Sequence, residues 1–562
     1  MRLDQVVKIL QEVERQLQGL LSPEAEAAVQ KLLNLVEQLV VDQRGLLAEV
    51  QRLRDLMEQK KRNKTTTSGE ANPLSPPSSD HSSEEQRRKR QPPASRPAND
   101  RRTFKELVVH EDRECPVDPA QLPPDAQRCA DETVIVQDIR IEPHNIRFSR
   151  HVYYSAGLGQ FLRGPLPAGY DGGDFGPDLR SLIVAWKYCG NMSEPKILEL
   201  LDNFQVQISA GSVSRILTCT ADSFVNEYRD VFLAGVGSTT YQQTDDTSAR
   251  VAGQSWHTHI LCNPFYTIYS THPHKDRLTI LAVLQNTSAL GFRFNATTRR
   301  WLETWELPRI WQDGVTELGD CTLSPVELKT ILDEWFGAGR QPQTRLDIEQ
   351  AAAIVHYRQQ TEVPVVSTLV CDDAGQFKWL TDHLALCWIH EGRHYARLSP
   401  VAARHAEQAA AFADRFWDYY ATLQRYRDGP SPAEANRLRQ EFETLFSTRT
   451  GYDALDARIA KTKSKQSQLL TVLSHPEVPL HNNASELGAR VSARRRDVSL
   501  HSKSVRGARA MDIFTTLVQT CKKLEVSAYA YLRDRLAQAN QIPRLATLIQ
   551  RLRGYPAVPS DS

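Results

Sequence analysis

Val363-Pro-Val-Val-Ser-Thr-Leu-Val-Cys371-Asp372-Asp373-Ala-Gly375 reads as a buried β-strand that delivers an aspartate at its end. The run is apolar and β-branched, and Asp-Ala-Gly closes it as a turn does. Two other stretches carry an acidic residue after an apolar or polar-neutral run. They are Tyr241-Gln-Gln-Thr-Asp245-Asp246-Thr247 and Leu480-His481-Asn482-Asn483-Ala-Ser-Glu486-Leu487-Gly-Ala-Arg490. An aspartate just past a buried strand is rigidly aimed yet exposed at the sheet edge. A second strand alongside brings Asp372 within bridging distance of Asp245, and a helix packed on that sheet brings Glu486 across. Asp246 and Asp373 point to the opposite face from their neighbours, so only one of each pair serves a shared site.

Three carboxylates supply charge and hard oxygen, which suits Mg²⁺. A pair of such ions clamps the attacking and leaving oxygens of an in-line phosphoryl displacement. The expected fold class is therefore α/β, an RNase H-like core in which Asp245, Asp372 and Glu486 are the catalytic and metal-binding residues. Two Mg²⁺ per site are expected, with Mn²⁺ able to substitute. A lone aspartate after a strand is most often a turn or helix cap. The reading rests on the three together.

Bulk properties neither add to this nor oppose it. The chain has 562 residues, 69 basic and 68 acidic, a formal charge of +1, so any nucleic-acid signal must be local. Nine scattered cysteines without regular spacing argue for reduced thiols rather than a disulfide framework. No apolar run approaches membrane-spanning length, and the N-terminus opens an amphipathic helix. A soluble, cytoplasmic protein with no membrane partner is expected.

Composition divides the chain. Residues 1–62 place Leu32, Leu39, Leu46 and Leu53 seven apart, with Val36, Gln43, Val50 and Met57 four after each. That is a coiled-coil seam, a leucine zipper able to join copies of the chain. Residues 63–103 are Ser-, Pro- and Arg-rich and read as a disordered basic linker. Residues 104–160 suggest a small β-rich module, with strands at Thr133-Val-Ile-Val and His151-Val-Tyr-Tyr. Its Cys115 and Cys129 fall short of the four ligands of a zinc ribbon, so structural zinc is not expected.

Residues 161–238 are helical. Two short helices around a tight turn, the second offering Ser212, Ser214 and Arg215, fit a helix-turn-helix contacting DNA. Residues 239–526 form the core, with a hairpin after the Asp245 strand and charged, largely helical insertions near 290–360 and 396–470. Cys387 and His390, three apart on a helix, suit packing or hydrogen bonding near the site better than half of a metal site. Asn483 either orients Glu486 or caps its helix. Beyond Glu486 the chain turns basic at Arg490, Arg494, Arg495, Arg496, Lys503, Arg506 and Arg509, a run placed to contact phosphate. Residues 527–562 add C-terminal helices and a tail.

These residues also carry a resemblance. Gln243-Thr-Asp245-Asp-Thr with its following Trp-led strand resembles the first motif of bacterial insertion-sequence DDE transposases of family sixty-six. Cys371-Asp372-Asp-Ala-Gly-Gln-Phe377 and Cys387-Trp388-Ile-His390-Glu-Gly-Arg393 are similar to its second motif and Cys-Trp-x-His-x-x-Arg signature. Pro479-Leu-His-Asn482-Asn483-Ala-Ser-Glu486 resembles its final Asp-Asn-Asn-x-x-Glu-Arg block. The likeness covers nearly the whole chain. It departs at Asp246 for glutamate, His481 for aspartate and Leu487 for arginine, and in incomplete zinc-module cysteines, as a divergent branch would. The Asp245–Asp372 separation is also long, which the 290–360 insertion accounts for.

The resemblance implies a transposase acting on terminal inverted repeats and target DNA. It also implies active-site support from Asn483, Cys387, Trp388, His390 and Arg393, small accessory proteins in some relatives, and work at the bacterial nucleoid. The alternatives are a catalytically inactive DNA-binding oligomer and a structure-selective nuclease on the same fold.

Overall fold

The structure, a computed structural model, describes residues 12, 22–65, 108–118, 123, 132–170 and 173–552. Most of the expected linker, together with Cys129 and the C-terminal tail, lies outside the described residues. The chain divides into two compact units, one of Met1–Gly69, Phe148–Leu200 and Ile208–Ser562, the other of Glu70–Arg147 and Leu201–Gln207. In the second unit residues 132–147 contain no regular strand. The expected strand at Thr133–Val136 does not form: Val134 and Val136 are 74% and 80% exposed, and β propensity without a partner strand forms no ladder. Among the described residues of the β-rich module, regular strands occur in one exposed hairpin, in the first unit.

That unit begins with helix α1 (Pro23–Thr65), acidic in its first turn at Glu24 and Glu26. Its seam leucines, Leu32, Leu39, Leu46 and Leu53, are all exposed. A different flank, Leu33, Glu37 and Val40, is buried. Glu37 accepts from the backbone N–H groups of Val401 and Ala402 at 2.5 and 2.9 Å. Asn34 and Gln30 both donate to the Gly451 carbonyl at 2.8 Å. The spacing 33, 37, 40 supplies a buried face beside the exposed heptad seam.

Strands β1 (Val152–Ser155) and β2 (Gln160–Arg163) make the hairpin. Helices α2 (Pro177–Tyr188), α3 (Glu194–Asn203), α4 (Ala210–Cys219) and α5 (Val225–Val236) follow. The Ser209 hydroxyl caps α4 by accepting from Ser212 N at 3.1 Å.

The core sheet begins with β3 (Tyr241–Val251), β4 (Gln254–Asn263) and β5 (Tyr266–His272). Helix α6 (Arg277–Gln285) comes next, capped by Asp276. The first insertion is β6 (Phe292–Phe294), α7 (Ala296–Thr304), α8 (Arg309–Leu318), β7 (Cys321–Leu323), α9 (Pro325–Phe336) and α10 (Pro342–Gln359). Then come β8 (Thr368–Cys371) and β9 (His383–Leu386). The sheet order is β5-β4-β3-β8-β9, antiparallel across β3, β4 and β5 and parallel from β3 to β8 to β9.

A second helical stretch follows: α11 (Trp388–Ala396), α12 (Ala403–Asp428), α13 (Pro432–Leu445), α14 (Asp453–Lys463) and α15 (Gln466–Leu469). Trp388 is its centre, ringed by Phe416, Tyr419, Phe442 and Phe446 at 5.5 to 6.5 Å. Its indole N–H donates to the Leu469 carbonyl at 2.9 Å, so the buried ring has a polar partner. The chain closes with α16 (Asn483–Val498), α17 (Val505–Lys523), α18 (Ala528–Leu536) and α19 (Leu545–Leu552).

Helix α16 lies on β3 and β4, where Ala484 and Ala489 pack against Ile260, Cys262 and Tyr269. Gly488 permits the approach. A Cβ there would sit 2.9 Å from Ile260 Cγ2, and the Tyr269 hydroxyl donates to the Gly488 carbonyl at 3.0 Å. Gly488→Ala should therefore lower stability by about 1–3 kcal/mol, as overpacking does. Thermal denaturation checks this: an unchanged or raised midpoint would show that the helix has room to spare.

Candidate active site

The parallel register sets Gln243 beside Val370. Two residues further along each chain stand Asp245 and Asp372. Asp372 falls just past the end of β8, as its sequence suggests. Asp245 does not end a strand. Pairing to β8 stops at Gln243, but β3 continues to Val251 because β4 pairs with it throughout, Asp245 opposite Ile260. Asp245 thus combines the stiffness of a paired strand with the open side left by β8.

Helix α16 is fastened to this point. The buried Asn482 side chain donates Nδ2–H to the carbonyl of Thr244, the residue before Asp245, at 2.7 Å. The Ala484 N–H donates to Gln243 Oε1 at 3.2 Å. Asn482 also presents its carbonyl to the Glu486 N–H at 3.1 Å, closing the first helical turn. The sequence offers Asn483 to orient Glu486 or to cap its helix; the bonds that tie the helix to the strand belong to Asn482, which makes no side-chain cap.

Glu486 lies in the first turn of α16. Its Oε2 accepts from Arg393 Nη2 at 3.2 Å, and its Oε1 stands 3.5 Å from His390 Nδ1. Arg393 Nη1 in turn meets His390 Nε2 at 2.9 Å. Cys387, the residue before α11, is buried and takes the Asn482 backbone N–H on its sulfur at 3.3 Å. Burial first, and then the Glu486 charge, push its thiol up to about 12. Cys387, His390 and Glu486 place ligand atoms within 4.8 Å of one another. The guanidinium on Glu486 and the proton held on sulfur suit a hydrogen-bonded support better than a soft-metal site.

The electrostatics of Asp245 carry the most information. Burial above all, opposed by the Asp246 N–H donated to its Oδ1 at 2.8 Å, then the charges of Glu486, Asp372 and Asp246, push its carboxyl up to about 7. Glu486 and Asp372 thus lie within electrostatic reach of Asp245, although burial is the larger cause of its shift, and the compact ligand group among the described residues, Cys387, His390 and Glu486, includes neither aspartate. Their neighbours turn elsewhere: Asp246 stands 3.7 Å from Lys275 Nζ, and Asp373 pairs with Lys465 at 2.6 Å. Lys465 also bridges to buried Glu391, which receives Arg458 and the Thr462 hydroxyl. Three oxygen donors with excess negative charge fit hard divalent cations such as Mg²⁺.

The expected DNA-contact residues separate by exposure. Arg215 on α4, and Arg494, Lys503 and Arg509 beyond the site, are exposed, and Ser214 and Arg490 are half-buried. The Ser212 hydroxyl is held by Ser209 at 3.0 Å. Arg506 is exposed and paired with Asp222 at 2.5 Å. Arg495 corrects the expectation: it is buried, donates to the Tyr188 carbonyl at 2.6 Å and to Asn191 Oδ1 at 3.1 Å, and stacks on Tyr188. Arg496 likewise bonds Thr247 and the Ser248 carbonyl of β3. Successive helical residues point about 100° apart, so a triple arginine cannot face one way.

The raised Asp245 carboxyl has a stability consequence. With an unfolded value near 3.8 and a folded value of about 7, ionising it costs folding stability as pH rises from about 4 to 7. Asp245→Asn should therefore leave metal-free stability unchanged near pH 4 and raise it above pH 7, by about 4 kcal/mol at most. Denaturant titrations at the two pH values check this. An equal effect at both would mean that the fold does not raise the Asp245 carboxyl.

A profile described as the Transposase IS66 family matches residues 340–510, a span holding Asp372 and Glu486. The chain is similar to Uncharacterized protein y4jO of Sinorhizobium fredii, 32% identical over 335 residues, which is 56% of this chain and 98% of that protein. No solved structure matches. With a near-complete relative at this identity and a profile match over two of the three carboxylates, the chain belongs to the IS66 transposase family.

Proposed function

We propose that the protein is a DDE transposase that cleaves DNA at the ends of an insertion sequence and joins the freed end to target DNA. The observation that carries this reading is the register that sets Asp245 and Asp372 two residues beyond the paired Gln243 and Val370, with the helix of Glu486 hydrogen-bonded to the same strand. The five-stranded sheet, antiparallel on one side and parallel on the other, supports an RNase H-like core.

Bound among these carboxylates, a pair of Mg²⁺ or Mn²⁺ ions would supply Lewis-acid stabilisation of the attacking and leaving oxygens. The chain does the positioning. Asn482 and Gln243 hold the helix of Glu486 to the strand of Asp245, and Arg393 and His390 hold the Glu486 carboxylate in place. Exposed Arg494, Lys503 and Arg509 draw the phosphate backbone toward the site without reading its sequence. Helix α4, through Ser214 and Arg215, is assigned to recognising the element ends. Such a protein works on chromosomal DNA in the bacterial cytoplasm, at the nucleoid.

The exposed leucines of α1 support self-association that brings two ends together. Replacing Leu39 and Leu46 by lysine should leave thermal stability intact and reduce the mass in solution to that of one chain. Light scattering measures this, and an unchanged assembly would remove the zipper from the account.

Asp245→Asn, Asp372→Asn and Glu486→Gln should each slow cleavage and joining of end DNA at least about a hundredfold while retaining DNA binding. Retained joining by any of them overturns the assignment. Wild-type protein that binds ends but never nicks them with Mg²⁺ or Mn²⁺ would be an inactive end-binding oligomer. One that cuts without joining would be a nuclease.

A further inference from the structure

A ladder of partly exposed tryptophans stands beside the loop of Asp372. Trp301 on α7 and Trp305 just past its end have ring centroids 5.7 Å apart, and Trp305 and Trp379 are 5.2 Å apart. Two arginines cap the ladder: Arg277 lies over Trp379 at 4.6 Å and Trp305 at 5.8 Å, and Arg358 over Trp301 at 5.9 Å. These rings come from the first insertion and from the segment after β8, distant in sequence and joined only by folding.

Trp379 is unusual in two respects. It is 43% exposed, and its φ of 70° lies in the left-handed region that a bulky side chain rarely adopts. Such a conformation persists only where its surroundings impose it, and it clusters at functional sites. Here the flanking Phe377 and Leu380 are buried and pin the segment on both sides. The conformation thus presents a large ring to solvent between two core anchors.

The ladder is bonded to the proposed active site. Arg277 Nη2 donates to the Gly375 carbonyl at 3.0 Å, and the Ala374 N–H, one residue earlier, donates to Asp372 Oδ1 at 3.1 Å. A molecule seated on Trp379 therefore lies on the same short loop that aims Asp372.

We propose that Trp379, backed by Trp305 and Arg277, is a stacking platform for an unpaired nucleobase of the DNA strand being processed. This rests on the DNA-cleaving reading above. A flat exposed π-face serves any base, and guanidinium groups on the aromatic faces add cation–π attraction and positive charge for a phosphodiester. A base inside a duplex is already stacked on both sides, so only an unpaired nucleotide can use the ring. Opening the terminal pairs at the cleavage point would expose such a base.

The test uses the full chain and two fluorescent end duplexes, one fully paired and one with three unpaired nucleotides at its terminus carrying 2-aminopurine. Wild-type protein should bind the frayed duplex more tightly and quench the 2-aminopurine. Trp379→Ala should lose about fivefold to a hundredfold in affinity for the frayed duplex, keep its affinity for the paired one within about twofold, and lose the quench. Trp379→Phe should retain most of both, which separates loss of a ring from loss of fold. Equal binding of the frayed duplex by wild type and Trp379→Ala, or equal loss on both duplexes, overturns the proposal and leaves the transposase reading standing. Failure of wild-type protein to bind either duplex overturns both.

Discussion

The helix that carries Glu486 is tied to the strand that carries Asp245, and that tie fixes how the expected acidic residues stand to one another. The tie is not an ion pair across the site. It is the hydrogen bond from buried Asn482 to the Thr244 carbonyl, reinforced by Ala484 to Gln243 and by the close approach that Gly488 allows. Backbone and carboxamide groups do not change charge with pH. The helix carrying Glu486 therefore stays on the strand carrying Asp245 whether the site is protonated or ionised.

Positive charge near the site is placed so that it does not neutralise Asp245. Arg393 serves Glu486, while Lys465 is occupied by Asp373 and Glu391. The unbalanced charge on Asp245 is thus a property of the whole arrangement. The helical stretch after β9 supplies rigidity instead: Trp388, seated among four aromatic rings, fixes the helix from which His390 and Arg393 project. Cys387 ends the same segment against the Asn482 backbone, so the signature residues and the final motif meet at one buried junction.

Much of this was legible because the decisive elements carry local signals. The β4–β5 hairpin announces itself by alternation around Asn263-Pro264, and α6 by its Asp276 cap. Strand β9 was not, since His383-Leu-Ala-Leu386 is four residues long and gains its identity only from pairing with β8. Thr133–Val136 erred the other way, having strand propensity and no partner. Arg495 was misread because charge runs were taken without helical phase; it lies seven residues after Gly488, on the face turned to the protein. The buried flank of α1 was hidden beneath a stricter leucine period. In the candidate site the strand end before Asp372 and the helix of Glu486 were readable, whereas Asp245 lies within a strand that pairing to β4 prolongs. The choice between Asn482 and Asn483 required knowing where the helix begins.

The central claim is that Asp245, Asp372 and Glu486 form one cation-binding cluster, and anomalous diffraction from Mn²⁺-soaked crystals tests it most directly. The account predicts two manganese peaks about 4 Å apart, ligated by those three side chains. Peaks at other residues, or a Glu486 carboxylate turned away from both aspartates, would contradict it.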